Sequence, residues 1–283
     1  MQNVQPTIYG AYINTCQKLG IPIQFLNYTT LNQALGILND YDYPANPDPI
    51  LQYVVVGNGG ADFVKGPNGI LEPTPIQHLA TDSNLYNMIP FVLRATNNDL
   101  TASEMAQYRL RTTITVNGVQ YIAYYGLVIS LANVDVGLYS VTNSNGQSVS
   151  TPFTPTNLNL APTSTNLTSL SVNTVSGDYV NVSALAQLNI TASQVSEFLN
   201  ACNILYGSQY SALISEIGLC TGIDVSNTVT SNGSQLTYTE AVGVQINAFI
   251  SALYAMYYSQ NGLNITYNVG VTEPLMLLQS SSS

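Results

Sequence analysis

The stretch EAVGVQINAFISALYAMYYS, residues Glu240 to Ser259, decides how this chain is read. Ala241, Val244, Ile246, Phe249, Ile250, Leu253, Tyr254 and Tyr257 leave no polar side on a helical projection, and Asn261-Gly262 follows as a stop signal. All-round apolarity predicts a long helix buried in a core or between subunits. Gln245, Asn247 and Ser251, together with polar flanks, argue against a membrane span.

Upstream of that stretch, Ser231-Asn232-Gly233 predicts a hairpin turn. Thr191 and Gln194 stand at capping-box spacing for a helix from Ala192 to Tyr206, whose stripe is Val195, Phe198, Leu199, Cys202 and Leu205 and whose stop is Gly207. Downstream, a strand from Asn264 to Val271 leads to Pro274 and an apolar tail. The second half therefore reads as the more helical one.

The first half reads differently. Helices are predicted over Pro6 to Leu19, over Leu31 to Asn39 behind Thr30 and Gln33, and near Ala102 to Tyr108 behind Thr101 and Glu104. Pro44, Pro47 and Pro49 end helical options before the β-branched run Ile50 to Val56, which reads as a buried strand closed by Gly57-Asn58-Gly59-Gly60. Gly66 to Pro75 reads as a loop and Ile89 to Arg94 as a short strand. Asn117-Gly118 joins Leu110 to Val116 with Val119 to Leu131, and predicts a long hairpin through a turn with positive φ at both central residues.

The fold class expected is thus α+β, with a β-rich N-terminal half with hairpins and a more helical C-terminal half containing one long buried helix. Between Thr142 and Thr174 the composition shifts to Ser, Thr, Asn and Pro. The expected division is 1–150 as a mixed, β-rich domain, 151–174 as a linker or an arm laid across a neighbouring subunit, and 175–283 as an α+β domain.

Charge is scarce: 7% of the 283 residues are charged, against about 25% in ordinary soluble domains. Polarity is carried instead by Asn, Thr, Ser, Gln and 20 Tyr. Centres of protein contacts lose Lys, Glu and Asp and gain Tyr, so this composition predicts a surface covered by neighbours. The five cations, Lys18, Lys65, Arg94, Arg109 and Arg111, face 15 carboxylates for a net charge of −10, which disfavours nucleic acid as a partner. The opening residues, Met1 to Tyr12, carry no basic region followed by an apolar run. They predict synthesis in a cytoplasm.

A search for chemistry returns no catalytic, cofactor-binding or metal residues. His78 is the sole histidine, and Cys16, Cys202 and Cys220 lie apart in apolar surroundings, so they read as small buried hydrophobes. Asp40, Asp42 and Asp48 lack the spacing of a calcium loop and read as a solvated turn. Gly57-Asn58-Gly59-Gly60 lacks the downstream Lys of a phosphate loop and reads as a tight turn or close backbone packing. No two acids are paired by sequence for glycosidase work, and the absence of Trp weakens a sugar-stacking cleft. Six sequons, at Asn27, Asn166, Asn181, Asn189, Asn232 and Asn264, are accounted for by composition alone.

Several short segments carry a resemblance: Ile89-Pro90-Phe91-Val92-Leu93-Arg94, Asn98-Asp99-Leu100-Thr101, Tyr108-Arg109-Leu110-Arg111, Val56-Gly57-Asn58-Gly59-Gly60 and Ile214-Ser215-Glu216-Ile217-Gly218-Leu219. Together they resemble uncharacterised virion structural proteins of large tailed bacteriophages. The resemblance implies a non-enzymatic component of a tail, baseplate or neck, with no cofactor and no membrane. It would be located in the virion and contact other copies of itself and other virion proteins. A cell-surface filament or surface-layer subunit also fits the Thr, Asn and Tyr richness, as does, more weakly, a secreted polymer-acting enzyme.

Overall fold

A computed structural model describes residues 3–131, 133–144, 147–162, 179–231, 234–258 and 261–274. The chain runs β1 (Asn3–Pro6), α1 (Ile8–Leu19), α2 (Leu31–Leu35), β2 (Ile50–Gly57), β3 (Ala61–Lys65), β4 (Leu71–Pro75), β5 (Met88–Ile89) and β6 (Val92–Ala95). It continues with α3 (Ala102–Met105), β7 (Tyr108–Val116), β8 (Val119–Val128), β9 (Val136–Ser144), β10 (Gln147–Pro152) and α4 (Asn157–Leu160). It closes with β11 (Tyr179–Ile190), α5 (Ala192–Tyr206), β12 (Leu213–Ser231), β13 (Ser234–Ala255) and β14 (Leu263–Pro274).

The α+β expectation is corrected by this order. Both halves are dominated by strands, and the stretch Glu240 to Ser259 is no helix: it is the body of β13 followed by a 3₁₀ turn at Met256–Tyr258. Residues 240–246 and 249–252 are all buried, because β13 is covered on both faces. A strand buried on both sides loses its alternation and matches a buried helix in pattern. Length misleads further, since strands average about 5–6 residues and β13 has 22. Register shifts against β12, between Ile214 and Glu216, Leu219 and Cys220, and Thr221 and Ile223, bend the pair so that it can run so far.

Contacts divide the chain into two compact units, each made of two stretches: Met1–Ile129 with Leu188–Asn264, and Ser130–Gln187 with Ile265–Ser283. The expected domains, 1–150 and 175–283, are each one stretch. Within the expected 151–174 segment, β10 runs to Pro152 and α4 covers Asn157–Leu160, while 163–178 lie outside the described residues.

The first unit holds an eight-stranded sheet in the order β1-β13-β12-β2-β8-β6, with β5 also on β2 and β7 also on β8. Tyr53, Val54, Val55 and Val56 of β2 are buried at its centre, as the β-branched run predicts. The hairpin at Asn117-Gly118 forms with φ of 51° and 80°, and Val116 pairs with Val119. Helix α5 runs from its capping box at Thr191 and Gln194 to Gly207, and buries Val195, Phe198 and Cys202. Gly36, with φ of 67°, stops α2 earlier than the expected Asn39.

Two helices are fastened to β13 by single side chains. Thr7 accepts from Gly10 N as the cap of α1 and donates through Oγ1 to Ile246 O at 2.6 Å. A Cβ at Gly10 would lie 2.9 Å from the Asn247 backbone, so the helix sits directly on the strand. In α2, the amide of buried Asn32 brackets the kink at Gly243 (φ 60°), donating to Ala241 O at 2.8 Å and accepting from Val244 N at 2.9 Å. It gives partners to two buried backbone groups on either side of the kink.

The expected loop at Gly66 to Pro75 is also corrected. Lys65 pairs with Leu71 and Ala61 with Pro75, so β3 and β4 form a two-stranded ribbon around Gly66–Ile70. In the second unit, the four strands run β10-β9-β11-β14.

Candidate functional site

The densest chemistry in the first unit gathers around His78, which the sequence places in a loop and the structure buries completely. Its Nδ1 lies 3.1 Å from Asp82 Oδ2 and its Nε2 lies 2.8 Å from Glu216 Oε2. The side chains of His78 and Glu216 are both 0% exposed. Tyr86 and Phe249 stack on the two faces of the imidazole, with centroids at 4.1 and 3.8 Å and planes within 11° and 10°. Ionised carboxylates only accept, so satisfying both ring nitrogens at once takes the doubly protonated ring.

Glu216 stands on β12, alone among apolar neighbours, and a buried carboxylate needs its oxygens filled. Besides His78, Oε1 accepts from Gly59 N and Asn87 N, each at 3.0 Å, and Oε2 from Tyr86 N at 2.9 Å. Burial pushes its carboxyl upward, but the His78 bond and the Asn87 and Tyr86 amides outweigh that and hold it below the ordinary value of 4.5. Asp82 is anchored in turn by Leu79 N at 2.9 Å.

The glycines of the Gly57–Gly60 loop are explained by this carboxylate. A Cβ at Gly57 would lie 2.5 Å from both Asn87 O and Glu216 Oε1, and one at Gly59 would lie 2.7 Å from Asn87 N. Gly60 N donates to Ser215 Oγ at 2.9 Å. One N–H of the loop, that of Gly59, thus joins the Tyr86 and Asn87 amides on an anion, and the anion is the protein's own Glu216. Close backbone packing, the reading given to these glycines, is what they do.

Chemically this cluster is a lock. A general acid or base must reach a substrate proton, and the imidazole is enclosed by two rings and two carboxylates. Cys202 and Cys220 offer no nucleophile: burial pushes the Cys202 thiol up to about 12 and raises that of Cys220 as well. Cys16, Cys202 and Cys220 are all free and buried, the state expected of small hydrophobes. Among the described residues, no group of three or more His, Cys, Asp or Glu gathers to hold a metal.

The other weighed residues are surface features. Asp40, Asp42 and Asp48 are exposed, and Asp48 accepts from Gln17 at 2.9 Å. Of the sequons, Asn166 and Asn232 lie outside the described residues. The arginines turn inward: Arg94 pairs with Glu197, Arg111 with Asp99 at 2.8 Å, and Arg109 donates from Nε to both oxygens of Asp224 at 3.0 Å. Asp224 and Asp99 are further held by the hydroxyls of Tyr53 and Tyr124.

Sequence reasoning missed the His78 cluster because its halves are 138 residues apart. One signal was available: Glu216 is a lone carboxylate in the apolar run Leu213-Ile214-Ser215-Glu216-Ile217. No such charge is buried without a partner.

Fold and cluster together define a β-sheet protein whose first unit closes around an internal ion-pair lock. The whole chain, residues 1–283, belongs to the family described as "Family of unknown function (DUF7208)". No curated protein matches it, and no solved structure does.

Proposed function

We propose that the chain is a non-enzymatic assembly subunit, located in the tail, baseplate or neck of a tailed-phage particle, that acts by packing against its own copies and neighbouring proteins. The β3–β4 ribbon carries this reading. Phe63, Ile70 and Leu71 on it are 59, 65 and 64% exposed. A two-stranded ribbon is marginal by itself, and burying each such side chain against a neighbour is worth about 1.5–3 kcal/mol.

Electrostatics supports the same conclusion. Three of the five cations are spent on internal pairs, and Lys18 and Lys65 are exposed. Contacts built from such a surface rest on apolar and tyrosyl groups rather than on ion pairs. The phage resemblance of the segments around Ile89 and Ile214 supports the particle setting.

Two measurements test this. Mass spectrometry of purified particles from a phage encoding the chain is expected to find it at stoichiometric abundance. Sedimentation of the recombinant chain is expected to show concentration-dependent association. A chain absent from particles and monomeric at every concentration defeats the proposal.

A further inference from the structure

One face of the four-stranded sheet in the second unit carries a hollow of about 590 Å³. Its floor is built from alternate positions of neighbouring strands. In the β9–β11 register Tyr139 lies opposite Asn181 and Tyr179 opposite Val141, so the two tyrosines are diagonal neighbours on one face.

Tyr139 does not stand off the sheet. A Cβ at Gly137, two residues back on the same face, would fall 2.6 Å from Tyr139 Cε2 and 2.8 Å from its hydroxyl oxygen. The ring leans back along its own strand across the space that glycine leaves empty. The ring lines the hollow.

The polar groups around it are mostly uncharged. Ser183 Oγ donates to Asn268 Oδ1 at 2.7 Å, which leaves the Asn268 NH₂ as the remaining arm of that amide. Asn181 also lines the hollow; its Oδ1 is closed to solvent and has no hydrogen-bond partner among the described residues. Asp135 contributes a carboxylate, and among the described residues no Lys or Arg lines the hollow.

We propose that this hollow binds a neutral carbohydrate. A pyranose presents an apolar C–H face that fits against a tyrosine ring, and hydroxyls that both donate and accept. Asn, Ser and Asp side chains supply the matching acceptors and donors. Phosphate, sulfate and carboxylate ligands would find no cation and would meet Asp135. This site uses none of the β3–β4 ribbon residues on which the assembly proposal rests.

The test is titration of the full-length chain, followed by NMR and calorimetry, with malto-, cello- and chito-oligosaccharides and a neutral galactan. Oligogalacturonate serves as the anionic control. At least one neutral oligosaccharide is expected to bind in the millimolar range or tighter. Tyr139→Ala is expected to weaken it by about tenfold or more, while Tyr139→Phe retains it. Circular dichroism checks that both variants fold, and Asn181→Leu serves as the second probe should Tyr139→Ala unfold. The proposal is overturned if none of the neutral sugars binds, if the anionic control binds as well as they do, or if the folded variants bind as the parent does.

Discussion

His78 and Glu216, 138 residues apart in sequence, meet with Nε2 2.8 Å from Oε2 in a position closed to solvent on every side. The pair ties the segment from Gln77 to Asn87 to the middle of β12, and the Gly57–Gly60 loop is drawn in by the same carboxylate. Removing either charge strands the other in a low-dielectric interior.

Glu216→Gln keeps the shape and deletes the charge. Stability measured by denaturant unfolding is expected to fall by about 3–5 kcal/mol with the slope unchanged. A loss under about 0.5 kcal/mol, the range of ordinary surface substitutions, would show that the cluster is no lock.

The acid limb of the stability profile has a predictable sign. Because the folded Glu216 carboxyl is held below 4.5, its contribution is complete above that value and drains away as pH falls through the lowered folded value. The part of the stability difference between the parent and Glu216→Gln that comes from this carboxyl should therefore shrink as pH falls below about 4.5. A difference that disappears well above that range contradicts the assignment.

Glu240 behaves in the opposite sense. Burial raises its carboxyl above 4.5, although Asn227 donates to it and Arg111 lies near enough to oppose the shift. Ionising it costs stability as pH rises from 4.5 through the raised folded value. Glu240→Gln is accordingly expected to raise the thermal midpoint at neutral pH and to leave it unchanged in acid. A lower midpoint at neutral pH would overturn this.

Asn32 partners two β13 backbone groups, one on each side of Gly243. Asn32→Ala leaves Ala241 O and Val244 N unpaired in the interior, at an expected cost of about 2 kcal/mol or more. Asn32→Asp still accepts from Val244 N but cannot donate to Ala241 O, and adds a buried charge, so it should be at least as damaging. Hydrogen exchange at Val244 is the direct readout.

Association through the β3–β4 ribbon is expected to survive high salt, because few exposed cations are available for ion pairs. Phe63→Ser with Leu71→Ser should weaken association in sedimentation without lowering the thermal midpoint, since both side chains are exposed. Dissociation by moderate NaCl at neutral pH would place the contact on charge instead.

What the sequence made legible was whatever is decided within a few residues. Asn117-Gly118 dictates its turn through backbone conformation, Thr191 with Gln194 starts α5, and Gly207, with φ of 72°, ends it. The scarcity of charge likewise needs no structure to be seen. β13 was illegible because neighbours packed on its faces erase the alternation by which a strand announces itself, and those neighbours, among them α1 at Asn247, α2 through Asn32 and the His78 ring on Phe249, come from elsewhere in the chain. The ribbon at 61–75 was hidden by Pro73, Pro75 and two glycines at its turn, residues that elsewhere mark loops. The hollow under Tyr139 depends on Gly137 and on strands that meet only by pairing.

The central sheet also has a timetable. Asn3 pairs with Ser251, and the middle of β2 pairs with Cys220, Leu219 and Gly218. A ribosome adding about 5–20 residues per second therefore exposes β2 on the order of tens of seconds before its β12 partner emerges. Nascent molecules must be kept from zipping onto each other along that edge, and truncated products that stop before β12 would carry it permanently open.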